Sequence, residues 1–501
     1  MKIFTKIVLA VVATVAISGQ ALAGGLLTNT NQSAAFLRSV ARGTSLDADA
    51  VYFNPAGVVF MENGFHIALG DQMAKQTRTI TSTYAPFAMG ANNNGAMTKD
   101  FKGEVFSPVI PSLQFAWKHN RWAVMASVGV NGGGGSLEFN DGLGSFERQF
   151  SVLPVGLQSL GIDASAYDMD MYLKGKSMTL AFNAGAAFRI TGWLSIALQT
   201  RVGATSNSYD GYMKNISAVV GGNKVLAKDL FSQSYANLGD QLAYYQDIYN
   251  KLSAAGMADT DQGRQVAGAI STIQAGMKTV KENEVKTSDH ILEVKQKGVS
   301  ISPVVALAFH KGAWDASVKY EFKMATELTI ESADVSAADP VINGLFPNGA
   351  TVKSETPALL AVAVSRHFGP VKVTAEWHEF FDKQAENSFS SAVEGNTMEY
   401  LLGAEWQIND KWLVSAGAQR TQLNLNENAY SDMNFSISSW SIGAGLAYQI
   451  CNAIRLDLGY MTTLYDKDVT AVGQENGMDY KDVYNRTSNA WGIGLNFKFG
   501  K

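Results

Sequence analysis

Trp491 to Phe499 reads WGIGLNFKF: Trp491, Ile493, Leu495, Phe497 and Phe499 alternate with Gly492, Gly494, Asn496 and Lys498. A period of two puts the apolar set on one face of a strand and the remainder on the other. Ile454 to Tyr460 repeats the pattern, with Ile454, Leu456, Leu458 and Tyr460 set against Arg455, Asp457 and Gly459. Val371, Val373, Ala375 and Trp377 likewise alternate with Lys372, Thr374, Glu376 and His378. Such an apolar face must meet either lipid or a second packed sheet.

Working outward, fourteen such segments of about ten to twenty residues follow from Gly64. Very short connections (118 to 121, 191 to 192, 310 to 313, 368 to 370, 409 to 411, 451 to 453) alternate with long ones (84 to 104, 140 to 175, 214 to 289, 331 to 353, 386 to 396, 427 to 434, 469 to 486). That alternation predicts an all-β fold, a 14-stranded antiparallel up-and-down barrel with tight periplasmic turns and long outer loops. Trp122, Trp193, Trp314 and Trp412 each stand at or just after a short turn, as an interfacial aromatic belt requires. A soluble sandwich would instead have to bury Arg455 and Glu376 or expose the apolar face, and both are costly.

Composition agrees. Lys2 and Lys6, the apolar run Ile7 to Ile17 and Ala21-Leu22-Ala23 form a secretory leader over residues 1 to 23. Without the two leader lysines, 38 basic residues face 45 acidic ones, a charge of −7 too acidic and dispersed for nucleic acid. Cys451 is alone, so no intrachain disulfide framework is possible. No apolar run after the leader approaches the roughly 18 residues of a spanning helix.

Between leader and barrel lies SLDADAVYFNPAGVV, Ser45 to Val59. Pro55 cannot donate to a ladder and restricts Asn54, while Ala56-Gly57 permits a sharp turn. Asn54-Pro55-Ala56 is therefore expected to be a fixed knot, and residues 24 to 63 a hatch inside the barrel formed by 64 to 501. In the third strand, Asn131 is followed by Gly132, Gly133, Gly134 and Gly135. Either these glycines bulge inward and break ladder bonds, opening the wall to form a lateral gate, or they are the flexible top of the strand. If the ladder breaks, the freed backbone groups need partners that lipid does not offer, and Asn54 and the carbonyls near Pro55 are candidates.

Within 214 to 289 the period changes. Leu238, Leu242, Tyr245, Tyr249 and Leu252, then Val266, Ile270, Ile273, Met277 and Val280, fall at helical intervals and predict two amphipathic helices. Their stripes either pack on each other or leave an apolar groove above the mouth. Arg201, Lys319, Glu321, Arg366 and Arg455 are expected on the lumen face, as salt-linked supports or, for Arg201, Lys319 and Arg366, as cations for an acidic head group.

The leader, the run AGGLLTNTNQSAAFLRSVARGTSLDADAVYFNPAGVVF, the fourteen strands, the helical third outer loop and the final strand from Ala490-Trp491 to Phe499 resemble the long-chain fatty-acid transporter (FadL/TodX) family of outer-membrane proteins. The resemblance covers essentially the whole mature chain. It implies a hatch-closed barrel carrying hydrophobic compounds that leave sideways through the wall. A departure is the ending Gly500-Lys501 where such chains end on an aromatic residue, although Gly494, Phe497 and Phe499 keep the pattern read by the barrel-assembly machinery. The expected partners are thus a hydrophobic ligand, outer-membrane lipid and that machinery, with a monomeric barrel. His66, His290 and His378 show no metal-ligand spacing and no phosphate-cradling glycine motif is present, so neither catalysis nor a cofactor is expected. The competing readings are a porin for small polar solutes and a barrel that presents its loops as adhesin or receptor.

Overall fold

The computed structural model describes residues 26 to 467 and 469 to 500. The leader, its cleavage site, Gly24 and Lys501 lie outside the described residues. Eighteen strand segments form one sheet. Asn223–Leu226 and Val469–Glu475 are hairpin arms, and Glu327–Ser332 and Thr351–Lys353 continue strands below them, which leaves fourteen staves. In chain order these are β1 (Gly64–Tyr84), β2 (Thr98–His119), β3 (Trp122–Phe139), β4 (Ala164–Arg189), β5 (Leu194–Val220), β6 (His290–Lys311) and β7 (Trp314–Glu321). They are followed by β8 (Leu359–Phe368), β9 (Val371–Phe380), β10 (Thr397–Gln407), β11 (Trp412–Gln422), β12 (Ser439–Cys451), β13 (Ile454–Tyr465) and β14 (Met478–Phe499). β14 pairs with β1 from Phe65↔Phe499 to Tyr84↔Tyr480, so the sheet closes and no edge is left.

The dyad pattern sorts the side chains as closure demands. On β1, Phe65, Leu69 and Met73 are exposed on the outer wall while Gln72, Ala74 and Gln76 are buried inside. The four turn tryptophans are 40 to 59% exposed. An outward apolar band with an aromatic girdle and no helix long and apolar enough to cross a membrane is the arrangement of an outer-membrane barrel, whose strands cross the bilayer.

Two strand limits differ from the sequence reading. β4 begins at Ala164, before Gly175, and β5 runs on to Val220, beyond Lys214. Above the apolar band the outward face of this pair meets water instead of lipid and carries Asp168, Lys174, Asp210 and Lys214, so the apolar alternation fades although Tyr167, Leu173, Tyr209 and Ile216 stay buried on the inward face. The two strands still pair from Ala164↔Val220 to Arg189↔Ser195.

Candidate functional site

Residues 26 to 61 lie inside the barrel and nearly all are buried. Their helices are short: α1 (Ala34–Arg38), capped by Ser33, and α2 (Ala50–Phe53). Phe36 and Phe53 stack with centroids 5.6 Å apart and tie the two together. At the knot, Asn54 Oδ1 accepts from the Gly57 amide at 3.2 Å, its Nδ2 donates to the Ser45 carbonyl at 3.1 Å, and Pro55 opens a 3-10 turn. Small residues of the wall admit α1, for Gly443, Gly459 and Gly492 approach Leu37 and Ala34 too closely for a Cβ.

Segment and wall are joined by charge. Arg38, with no exposed side-chain surface, meets Glu405 at 2.6 Å and Asp457 at 2.9 Å, and also donates to Ser415. Arg42 holds Asp47, Asp49 and Glu405, each at 3.0 Å, and Arg455 grips Asp47 through two bonds of 3.0 Å. Burial alone would raise the Asp47 carboxyl, but the Arg455 and Arg42 guanidiniums outweigh it and hold it well below the usual carboxylate range. On the opposite side, the Gly43 amide donates to Glu376 at 2.8 Å, and Glu376 shares His378 with Glu399. Ser195, Gln199 and Lys319 donate to the carbonyls of Ala56, Val51 and Tyr52.

The wall is broken at one place beside this segment. β2 pairs with β3 from Trp122 up to Gly129, opposite Ser112, and again from Leu137, opposite Val105. Between these limits Phe106 to Pro111 and Val130 to Ser136 do not pair. Gly133 and Gly134 take φ of +66° and +106°, and β3 bulges twice against β4 in the same stretch. The freed carbonyls are satisfied from inside: the Asn29 amide donates to Asn131 O at 2.7 Å, and Gln32 Nε2 and Asn29 Nδ2 donate to Val130 O at 2.7 and 3.2 Å. Ser107 Oγ donates to Gly134 O, and Asp71 accepts from the freed Ile110 amide at 3.0 Å. Below the break the outer wall forms an apolar cavity of about 410 Å³ lined by Leu69, Leu113, Val128, Leu180, Ile493 and Leu495. Above the inner segment, outer loops fold into the mouth, and Phe87, Leu143, Phe346 and Phe435 form an apolar cluster with strand residues such as Ile80 and Tyr484.

The glycine run therefore does interrupt the ladder. Asn54 does not cap the interruption: its side chain is used within the knot, and Asn29 and Gln32 do that work. Arg201 and Lys319 face the lumen as expected but both pair with Glu321, and both lie over the Tyr52 ring. They support the inner segment and are not free cations. Arg366 is corrected outright. It shares parity with the outward Val362 and Val364, is exposed, and stacks on Trp314 and Phe368 at the short-turn end.

The helices of the long loop are α3 (Ala227–Ala254) and α4 (Asp261–Lys286). Their stripes meet each other: Leu238 faces Gly276 and Met277 faces Gly239, with Ile273 and Val280 buried and Leu242, Tyr245, Tyr249, Leu252, Val266 and Ile270 half-buried. The open groove is thereby filled by the partner helix. Arg38, Arg42, Asn29, Gln32 and Asp71 were missed by sequence reasoning. Asp71 carried a signal, a lone carboxylate among outward apolar positions of β1.

No family model matches the chain, and no curated protein does. Solved structures do. A FadL homologue of Pseudomonas aeruginosa superposes with a TM-score of 0.57 over 95% of this chain and 100% of that one, at 12% identity. This chain has the FadL and TodX fold. The P. putida toluene transporter TodX gives 0.51 over 91% and 95% of the two chains at 13% identity. Likeness of this depth under such sequence divergence fits a fold specified by alternation, closure and a buried N-terminal segment, few of which depend on particular side chains. Within this FadL-type barrel the break in β3 and the polar caps behind it are the distinctive local chemistry.

Proposed function

We propose that the protein is a passive outer-membrane transporter of hydrophobic compounds, in which residues 24 to 63 act as a hatch and cargo leaves sideways between β2 and β3. The reading rests chiefly on the unpaired stretch, Phe106 to Pro111 against Val130 to Ser136. An unpaired stretch of wall at membrane depth, with its backbone capped from inside, would offer apolar solute a route that never crosses water. The gain is roughly 0.8 kcal/mol for each methylene kept dry. The adjoining apolar cavity supports the same route, and TodX, whose fold this chain shares, is a toluene transporter. A porin reading is disfavoured by the residues that fill the lumen from Leu26 to Met61.

The test places a bulky maleimide on Val109→Cys, which sits exposed at the gap, in a Cys451→Ser background, with Val299→Cys on β6, three staves away from β3, as a control at least as exposed. Uptake of a lipophilic fluorophore through proteoliposomes should fall at least tenfold, roughly, for the first and stay level for the second, since a label filling the exit excludes cargo sterically. Equal rates would remove the lateral route.

A further inference from the structure

The outer rim of the gap carries charge that nothing above uses. On β1, Lys75 stands opposite Phe106, and on β4, Lys176 stands opposite Ser136. Phe106 and Ser136 are the residues immediately below the Val105↔Leu137 pair that closes the gap at its upper end. Both lysines are exposed on the outer wall, and neither makes an ion pair among the described residues. Two acids flanking the gap at the same height are matched by other lysines: Glu104 by Lys102 at 2.6 Å and Glu138 by Lys174 at 2.5 Å. Lys75 and Lys176 thus add two positive charges at the rim, offset in part by Asp210 on β5, which stands opposite Lys174. They also mark the upper limit of the apolar band, since Met73 on β1 and Leu180 on β4 are outward apolar residues below them. The gap consequently opens into the half of the bilayer facing the long loops.

We propose that Lys75 and Lys176 bind the phosphates of an outer-leaflet lipid whose acyl chain fills the cavity beneath the gap. Charge and position favour this occupant. The cavity wall is apolar apart from Asp71 and Ser112, and it faces the bilayer, so hydrocarbon is its natural content. Asp71 at the cavity repels an anionic head, which keeps the phosphate at the rim and the chain below. Three strand spacings, about 14 Å, separate β1 from β4, so a head group with phosphates at both ends of a disaccharide engages both ammonium groups. A lipid seated there closes the gap from outside, as Asn29 and Gln32 cap it from inside. The inference rests on the gap itself and not on what the barrel carries.

The experiment purifies wild type and Lys75→Gln/Lys176→Gln from nanodiscs of phosphatidylcholine doped with bisphosphorylated lipid A, and counts retained lipid A by mass spectrometry. Dephosphorylated lipid A is run in parallel. A charge-matched control, Lys251→Gln/Lys281→Gln, lies on the outer helices, and heat-modifiable gel mobility verifies that each barrel is folded. Wild type and the control should retain roughly fivefold more bisphosphorylated lipid A than the rim variant, the size exposed charge pairs supply, with no difference for the dephosphorylated form. Equal retention by all folded proteins overturns the proposal. So does a lysine dependence seen only for added dodecanoate, which would make the rim a site for the head of free amphiphiles.

Discussion

Replacing Arg38 by Met removes the ion that fastens α1 to the wall while keeping its aliphatic volume. Glu405 and Asp457 lose bonds of 2.6 and 2.9 Å, but Glu405 retains Arg42 and Asp457 retains Arg455 at 3.3 Å. Removing one partner of a buried pair costs about 3 to 5 kcal/mol, and the remaining arginines place this case at the lower end, near about 3 kcal/mol. That shifts the balance between seated and displaced inner segment by about two decades. Planar-bilayer recording should then show long-lived openings in R38M where wild type is silent, and trypsin should cut at Arg42. In R38M/E405Q/D457N no buried carboxylate is stranded, so silence and protection should return, because removing both sides of a buried pair is close to neutral. A silent, protease-resistant R38M with normal gel mobility would refute the claim that these charges hold the segment in place.

Gln32→Ala with Asn29→Ala strips two side-chain donors from Val130 O, at about 1 to 3 kcal/mol for the exposed carbonyl, and hydrogen exchange at Val130 to Ser136 should speed up at least tenfold, roughly. Gly133→Val forces a β-branched residue to φ +66° and should lower the melting temperature while slowing lipophile uptake, because the bulge must flatten or strain. Asp382, in the turn after β9, is pushed up from 3.8 to about 6 chiefly by burial, which outweighs its bond from the Thr397 amide. A folded-state pKa above the unfolded one means that stability is full below about pH 4 and declines as pH rises through about 6. Asp382→Asn should flatten that decline, by about 3 kcal/mol at most, in melting curves taken between those values. Leu238→Asp with Met277→Asp should lose helical circular dichroism without altering barrel mobility, since the stripes of α3 and α4 pack on each other there and the fourteen staves close without them.

The barrel was legible because closure in lipid imposes a rule on every strand: Trp491 to Phe499 and Ile454 to Tyr460 show it without reference to any partner. The glycine run was legible as well, for Gly133 and Gly134 adopt φ values that other residues resist. What could not be read was pairing across distance. Arg38 meets residues 367 and 419 positions away, and nothing local in AAFLR marks it as an anchor. Asn29 and Gln32 cap Val130 from about 100 positions away in a stretch without periodicity. Arg366 was misplaced because, near the end of β8, a charged residue in outward register is tolerated beside Trp314 at the interface, where long cations extend toward water. The helical stripes were found correctly, but a stripe does not say which surface covers it.

Photolabelling gives the most direct test of sideways exit. A diazirine-bearing hydrocarbon is supplied from the long-loop side of the reconstituted barrel, flashed during uptake, and its attachment sites are mapped by mass spectrometry. Ile110 and Val130, inward residues at the gap, should be labelled, while Val59 and Ala308, buried at the short-turn end, stay clean. Labels at Val59 and Ala308 with none at Ile110 or Val130 would mean that cargo runs straight through the lumen, and the lateral route would be wrong.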